Sequence, residues 1–123
     1  MQNIDNFTSI RAEAERLGTV PYLLTCGEDG RPHAVATTIT WRDGALRVKA
    51  GGRSLANVAA RPLISVMWPA PDASSYGLFV DGAGSVEGDS VELTPSRAVL
   101  HRSGEPATPS TSGCGSDCRP LLG

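Results

Sequence analysis

The sequence is short of strong charge, long apolar runs, cysteine and histidine. Eleven basic residues against thirteen acids leave a net charge of −2, which argues against a general nucleic-acid binder. No stretch approaches the length of a membrane-spanning helix, and the opening MQNIDNFTSI lacks the basic-then-apolar order of a secretory signal. The expectation is a cytoplasmic protein with neither nucleic acid nor membrane as partner. Three cysteines, an odd number, do not make a disulfide framework and agree with a reducing compartment. His33 and His101 are the only histidines, and no Ser-His-Asp or Cys-His arrangement is legible. Cys114 and Cys118 in GCGSDC supply at most half of a zinc ligand set. A regulatory disulfide or an inert pair are the other readings, and no metal site is assigned. Internal repeats are absent from the 123 residues.

What is present fits one soluble globular domain: 40% of residues are hydrophobic and 20% charged. Charge is unevenly placed. The segment from Arg31 to Arg61 holds six basic residues (Arg31, Arg42, Arg47, Lys49, Arg53 and Arg61) against one acid, Asp43, between two acidic flanks. Such a segment suits an anionic ligand, since Lys and Arg attract and hydrogen-bond phosphate or carboxylate. A solvated strand face is the other reading.

In chain order, Phe7, Ile10, Ala14 and Leu17 share one face of a helix from about Asp5 to Leu17, with Asp5 or Asn6 as a cap and Gly18 as its end. TVPYLLTC (19–26) is β-favouring and precedes the turn GEDG. Pro32 to Trp41 alternates as one strand. Asp43-Gly44 is a hairpin dipeptide leading to Ala45–Ala50, which completes a three-stranded meander. Gly51-Gly52 breaks that strand, Ser54 reads as the cap of a short helix Leu55–Arg61, and Pro62 stops it. LISVMW (63–68) has the continuous apolar character of a buried strand. Tyr76 to Val86 is a further strand, in which Gly82 and Gly84 suggest a bulge or close backbone approach. Thr94-Pro95 has the cap-then-proline order of a helix reaching His101. From Ser103 onward thirteen of twenty-one residues are Gly, Pro, Ser or Thr, which predicts a mobile tail.

These elements predict an α+β fold: a small antiparallel β-barrel with short flanking helices, a single domain over residues 1–102, and a flexible tail over 103–123 carrying the cysteine pair. So small a barrel gains burial from dimerisation.

Five pieces in order, GEDGRPHAVAT (27–37), TWRDGALRVKAGG (40–52), RSLANVAARP (53–62), LISVMW (63–68) and VDGAGSV (80–86), resemble the pyridoxamine 5′-phosphate oxidase-like family of flavin-binding split barrels. The resemblance covers about residues 8–102. It implies a homodimer binding FMN, or in some branches the deazaflavin coenzyme F420 or haem, in a cleft at the dimer interface. In such a protein the cofactor carries the hydride chemistry and the protein supplies position and electrostatics.

By the same resemblance, Arg53 matches an arginine that holds the flavin phosphate, and Asn57 a polar position the family often keeps. Ala50, Gly52 and Ser54 stand where Thr, Ser and Lys are common in the family. The backbone of Gly51 and Gly52, the Ser54 hydroxyl and the helix N-terminus remain to receive an anion, with Lys49 and Arg31 in the same groove. Ala36, Thr37 and Thr38 would flank the flavin ring, and His33 would touch a small organic substrate. The nearly neutral tail makes pyridoxamine phosphate an unexpected substrate. The expected activity is an FMN- or deazaflavin-dependent oxidoreductase. The alternative is a split-barrel module that holds flavin or haem without turnover, with His33 or His101 as axial ligand candidates. Trp41 and Trp68 read first as core and second as cofactor-stacking residues.

Overall fold

The computed structural model describes residues 2–103 and 116–122. Its elements are α1 (Gln2–Leu17), β1 (Tyr22–Cys26), β2 (Pro32–Ala36), β3 (Ile39–Arg42), β4 (Ala45–Lys49), α2 (Gly52–Ala60), β5 (Leu63–Trp68), β6 (Gly77–Glu87), β7 (Ser90–Ser103) and β8 (Ser116–Leu122). The sheet runs β2-β1-β5-β6-β7-β4-β3, every pairing antiparallel, with β8 added to β7. Its two ends, β2 and β3, are one stretch of chain interrupted only at Thr37 and Thr38. The path therefore returns to its start, and the sheet is a barrel: an α+β split barrel in a single domain.

The alternating strands place their apolar members inward. Leu23, Val66, Val80, Leu46, Val48, Val91 and Leu93 are fully buried. Ile10, Ala14 and Leu17 of α1 join this core, as does Val58 of α2. The expected meander is present, but its middle strand is divided. β2 pairs with β1 from Pro32 to Ala36, and β3 pairs with β4 from Ile39 to Arg42. At the division the Thr37 amide donates to the Pro21 carbonyl (2.9 Å), while the Thr38 carbonyl accepts from the Lys49 amide (3.2 Å). One strand thus serves two neighbours in turn.

Gly44, at φ 75°, takes the left-handed position of the β3–β4 turn. Gly82 answers to the expected bulge: the β6–β7 register shifts between Asp81 and Gly82, and a Cβ at Gly82 would press into the Thr94 carbonyl.

Three expectations are corrected. Thr94 to His101 is not a helix but part of β7. Pro95 sits opposite Gly82 at the bulge, where the ladder can do without a proline N–H. His101 is accordingly on a strand, its ring edge-on to Phe79 at 5.9 Å, and meets no helix dipole. Asp5 and Asn6 lie inside α1, which begins at Gln2, so neither is its cap. Of the expected mobile tail, residues 116–122 instead form β8 on the edge of β7 that β4 leaves open beyond Leu93, with Ala98 opposite Leu122 and Val99 opposite Pro120. Leu121 and Leu122 pack against the core, which outweighs the polar composition upstream. Cys114 lies outside the described residues, whereas Cys118 is in β8 opposite His101.

Candidate functional site

The point where the strand changes neighbours opens a cleft. Ala36, Thr37, Thr38, Lys49, Ala50 and Gly51 line a space of about 470 Å³. Five of these six are residues the sequence had nominated; the sixth, Ala50, packs against the core. The Thr37 hydroxyl is engaged, donating to the Lys49 carbonyl at 2.5 Å. It fastens the cleft wall and is not presented to a ligand. Thr38 and Lys49 are exposed.

Immediately along the chain is the N-terminus of α2. The helix begins at Gly52, three residues earlier than the sequence suggests, so Gly51 and not Ser54 is the N-cap. Gly51 offers no side-chain hydrogen bond, and no acid stands in the first turn. The first amides of a helix have no intrahelical partner, so those of Gly52, Arg53 and Ser54 are left to an outside acceptor. A helix of this kind favours an anion at this end. Arg53 is exposed there and makes no ion pair among the described residues. The earlier start turns Ser54 inward, where it is 2% exposed, so its hydroxyl is not presented to a ligand.

Arg53 also lines a second cleft of about 740 Å³ with Arg31, His33, Asn57 and the β1–β2 turn. Arg31 was expected beside Lys49, but the two line different clefts. Arg31 is paired with Asp29 at 3.5 Å on the open surface. His33 is partly buried, and its Nδ1 is enclosed without a hydrogen-bond partner among the described residues. A buried polar atom left unpaired is costly, so a ligand that engages it would be favoured.

Asn57 is occupied by the fold. Its side-chain amide donates to the Thr25 hydroxyl at 3.0 Å, and its Oδ1 accepts from Arg61 at 3.4 Å. Arg61 in turn donates to the Cys26 carbonyl at 2.7 Å. No local pattern marks Thr25 and Arg61 as this brace, because their partners are 32 and 35 residues distant. Of the six basic residues in the central segment, Arg61 is therefore structural, and Arg47 faces Glu87 at 3.9 Å. Lys49 and Arg53 are the cations left around the start of α2. Trp68 is core, 4% exposed. Trp41 stacks on it at 5.8 Å and 13°, away from either cleft.

The groups present suit a phosphate-bearing cofactor. Unpartnered helix amides and Arg53 would receive the phosphate, Lys49 adds charge, and the small Ala36 and Gly51 leave the Thr38 cleft open to a flat ring. No group of three or more metal-ligating side chains occurs among the described residues.

No family model matches the sequence. The uncharacterized protein Mb0449c of Mycobacterium bovis and MT0457 of Mycobacterium tuberculosis are each 34% identical to it over 115 residues, covering 79% of this chain and 81% of theirs. Among solved structures, a candidate pyridoxamine 5′-phosphate oxidase of Listeria innocua superposes with a TM-score of 0.63 at 17% identity, over 76% of this chain and 96% of that one. An F420 reductase gives 0.57 at 18%, over 68% and 94%. A heme binding protein of Mycobacterium smegmatis gives 0.60 at 17%, over 98% of this chain and 58% of its own. The chain belongs to one family with the two mycobacterial proteins, and its fold is the split barrel of the pyridoxamine 5′-phosphate oxidase-like proteins.

Proposed function

We propose that this chain is an oxidoreductase using FMN or the deazaflavin coenzyme F420, acting in the cytoplasm as a homodimer on a small organic substrate. The observation that carries this reading is the uncapped, acid-free start of α2 bearing Arg53, set directly after the open cleft of Thr38, Lys49 and Gly51. A bound flavin or deazaflavin supplies hydride transfer. The protein's part is to hold and orient. The amides of Gly52, Arg53 and Ser54 and the Arg53 guanidinium bind the phosphate, Lys49 adds a point charge, and the Thr37–Lys49 bond keeps the wall of the cleft rigid. The solved neighbours support a cofactor of this kind, one being an F420 reductase.

Dimerisation is supported by the outward face of the barrel. The registers place Ala36, Tyr22, Met67 and Phe79 in one row across four strands, and Leu63 on the same face is 78% exposed. A second copy would cover this apolar surface.

A second reading is a haem-binding module without turnover. It is favoured by the unpaired His33 Nδ1 and by the heme binding protein that spans nearly all of this chain. An imidazole nitrogen is a usual axial ligand of haem iron. The test is an absorbance spectrum of the purified protein, followed by titration with FMN, F420 and haem. The oxidoreductase reading expects saturable binding of one of the first two. Binding of haem alone, lost in His33→Ala, would replace it with the second reading.

A further inference from the structure

A third cavity shares no residue with either cleft described above. It measures about 750 Å³ and lies beneath α1, between the β3–β4 turn, the bulged part of β7 and the end of β8. Small-molecule sites commonly occupy this size range. Its apolar surface comes from Phe7, Ile10, Trp41, Pro95 and Leu122. Trp41 is the chief member. One face of its indole rests on buried Trp68, Phe7 meets it edge-on at 5.9 Å, and the Arg11 guanidinium stands 5.9 Å from its ring centre. Unlike Trp68, it is only partly buried.

Three charged side chains line the cavity: Arg11, Arg42 and Asp43. Arg11 shares its charge with Glu15 at 3.4 Å, on an exposed helix face where such a pair contributes little. Arg42 is exposed and makes no ion pair among the described residues. The cavity thus joins an aromatic floor to one guanidinium at its edge, that of Arg42, which has no ion-pair partner among the described residues. A flat apolar body with one negative group meets both requirements, since a carboxylate on arginine forms strong, charge-assisted hydrogen bonds.

We propose that this cavity is a second ligand site, taking a small aromatic carboxylate whose ring lies against Trp41 and whose carboxylate is held by Arg42, with Arg11 beside it. Trp41 is three residues along the strand from Thr38, or about 10 Å at the strand rise. That is beyond hydride reach of the cofactor cleft, so the occupant is bound there and not reduced there. The site stands whether or not the chain binds a flavin.

The test uses 2-naphthoate as probe and its uncharged counterpart 2-naphthamide as control. Trp41 and Trp68 are the only tryptophans, so quenching of tryptophan fluorescence reports on the cavity directly. Saturable one-to-one binding of naphthoate is expected, with the amide bound about tenfold more weakly. Arg42→Gln should remove that preference. Thr94→Phe, at an exposed position on the cavity wall, should block both probes while leaving the thermal midpoint and any FMN binding unchanged. Absence of saturable quenching in the wild type would overturn the proposal, as would equal binding by wild type, Arg42→Gln and Thr94→Phe. Loss of FMN binding in Arg53→Ala with naphthoate binding intact would keep the two sites separate.

Discussion

The two ends of α2 use their polar groups in opposite ways. At the C-terminal end Asn57, Thr25, Arg61 and the Cys26 carbonyl form a closed set, and the Arg61 amide caps the helix on the Asn57 carbonyl at 2.8 Å. At the N-terminal end Gly51 contributes no side chain, no acid balances the dipole, and Arg53 projects without an ion pair among the described residues. Nine residues separate a region that holds the helix to β1 from one whose donors await an acceptor. Polar groups that satisfy one another mark structure. Polar groups left open at a helix N-terminus, beside cations and an open cleft, mark a place for a ligand.

Four substitutions would break or sharpen that contrast. The largest effect should come from Asn57→Ala, which leaves the Thr25 hydroxyl and an Arg61 contact unpaired in a buried place. The expected cost is about 3 kcal/mol of stability, read from the urea midpoint. Arg53→Ala should leave that midpoint within about 0.5 kcal/mol of wild type while weakening FMN about ten- to a hundredfold, the range of a charge-assisted bond to phosphate. If instead Arg53→Ala unfolded the protein, the open end would be structural as well. Lys49→Ala should weaken FMN only a few-fold, and less so at high salt, as befits an exposed point charge; titration at two ionic strengths checks this. Gly51→Ser should have the smallest effect. The position has room for a side chain and extended backbone, so a serine would cap the helix and raise stability by a few tenths of a kcal/mol. Its oxygen would also take an amide meant for the phosphate, so FMN affinity should fall as the thermal midpoint rises.

Much of this arrangement was legible in the residues. Local signals located the hairpin at Asp43-Gly44, the strand Leu63–Trp68 and the bulge at Gly82, because each is written in turn chemistry, apolar run length or glycine placement; the apolar run of that strand predicts full burial, but only its inward residues Ile64, Val66 and Trp68 are buried. Long-range pairing was not legible. The division of the middle strand at Thr37 and Thr38 arises from a change of neighbours between β1 and β4, which no local pattern records. Thr94-Pro95 carries a genuine helix-start signal, but the pairing of β7 with β6 overrides it. The polar composition of the tail predicts mobility, yet Leu121 and Leu122 pack against the core. In the structure, Lys49, Gly51 and Arg53 lie around the start of α2. Ser54 and Asn57 turn inward, because the helix begins earlier than its serine suggested.

The most direct test is to measure FMN and riboflavin, which differ only by the phosphate, against wild type and Arg53→Ala. If the open end of α2 holds a phosphate, wild type should prefer FMN by at least about tenfold and Arg53→Ala should lose most of that preference while riboflavin affinity stays constant. Equal affinity of wild type for the two flavins, or a preference that survives Arg53→Ala intact, would contradict the account.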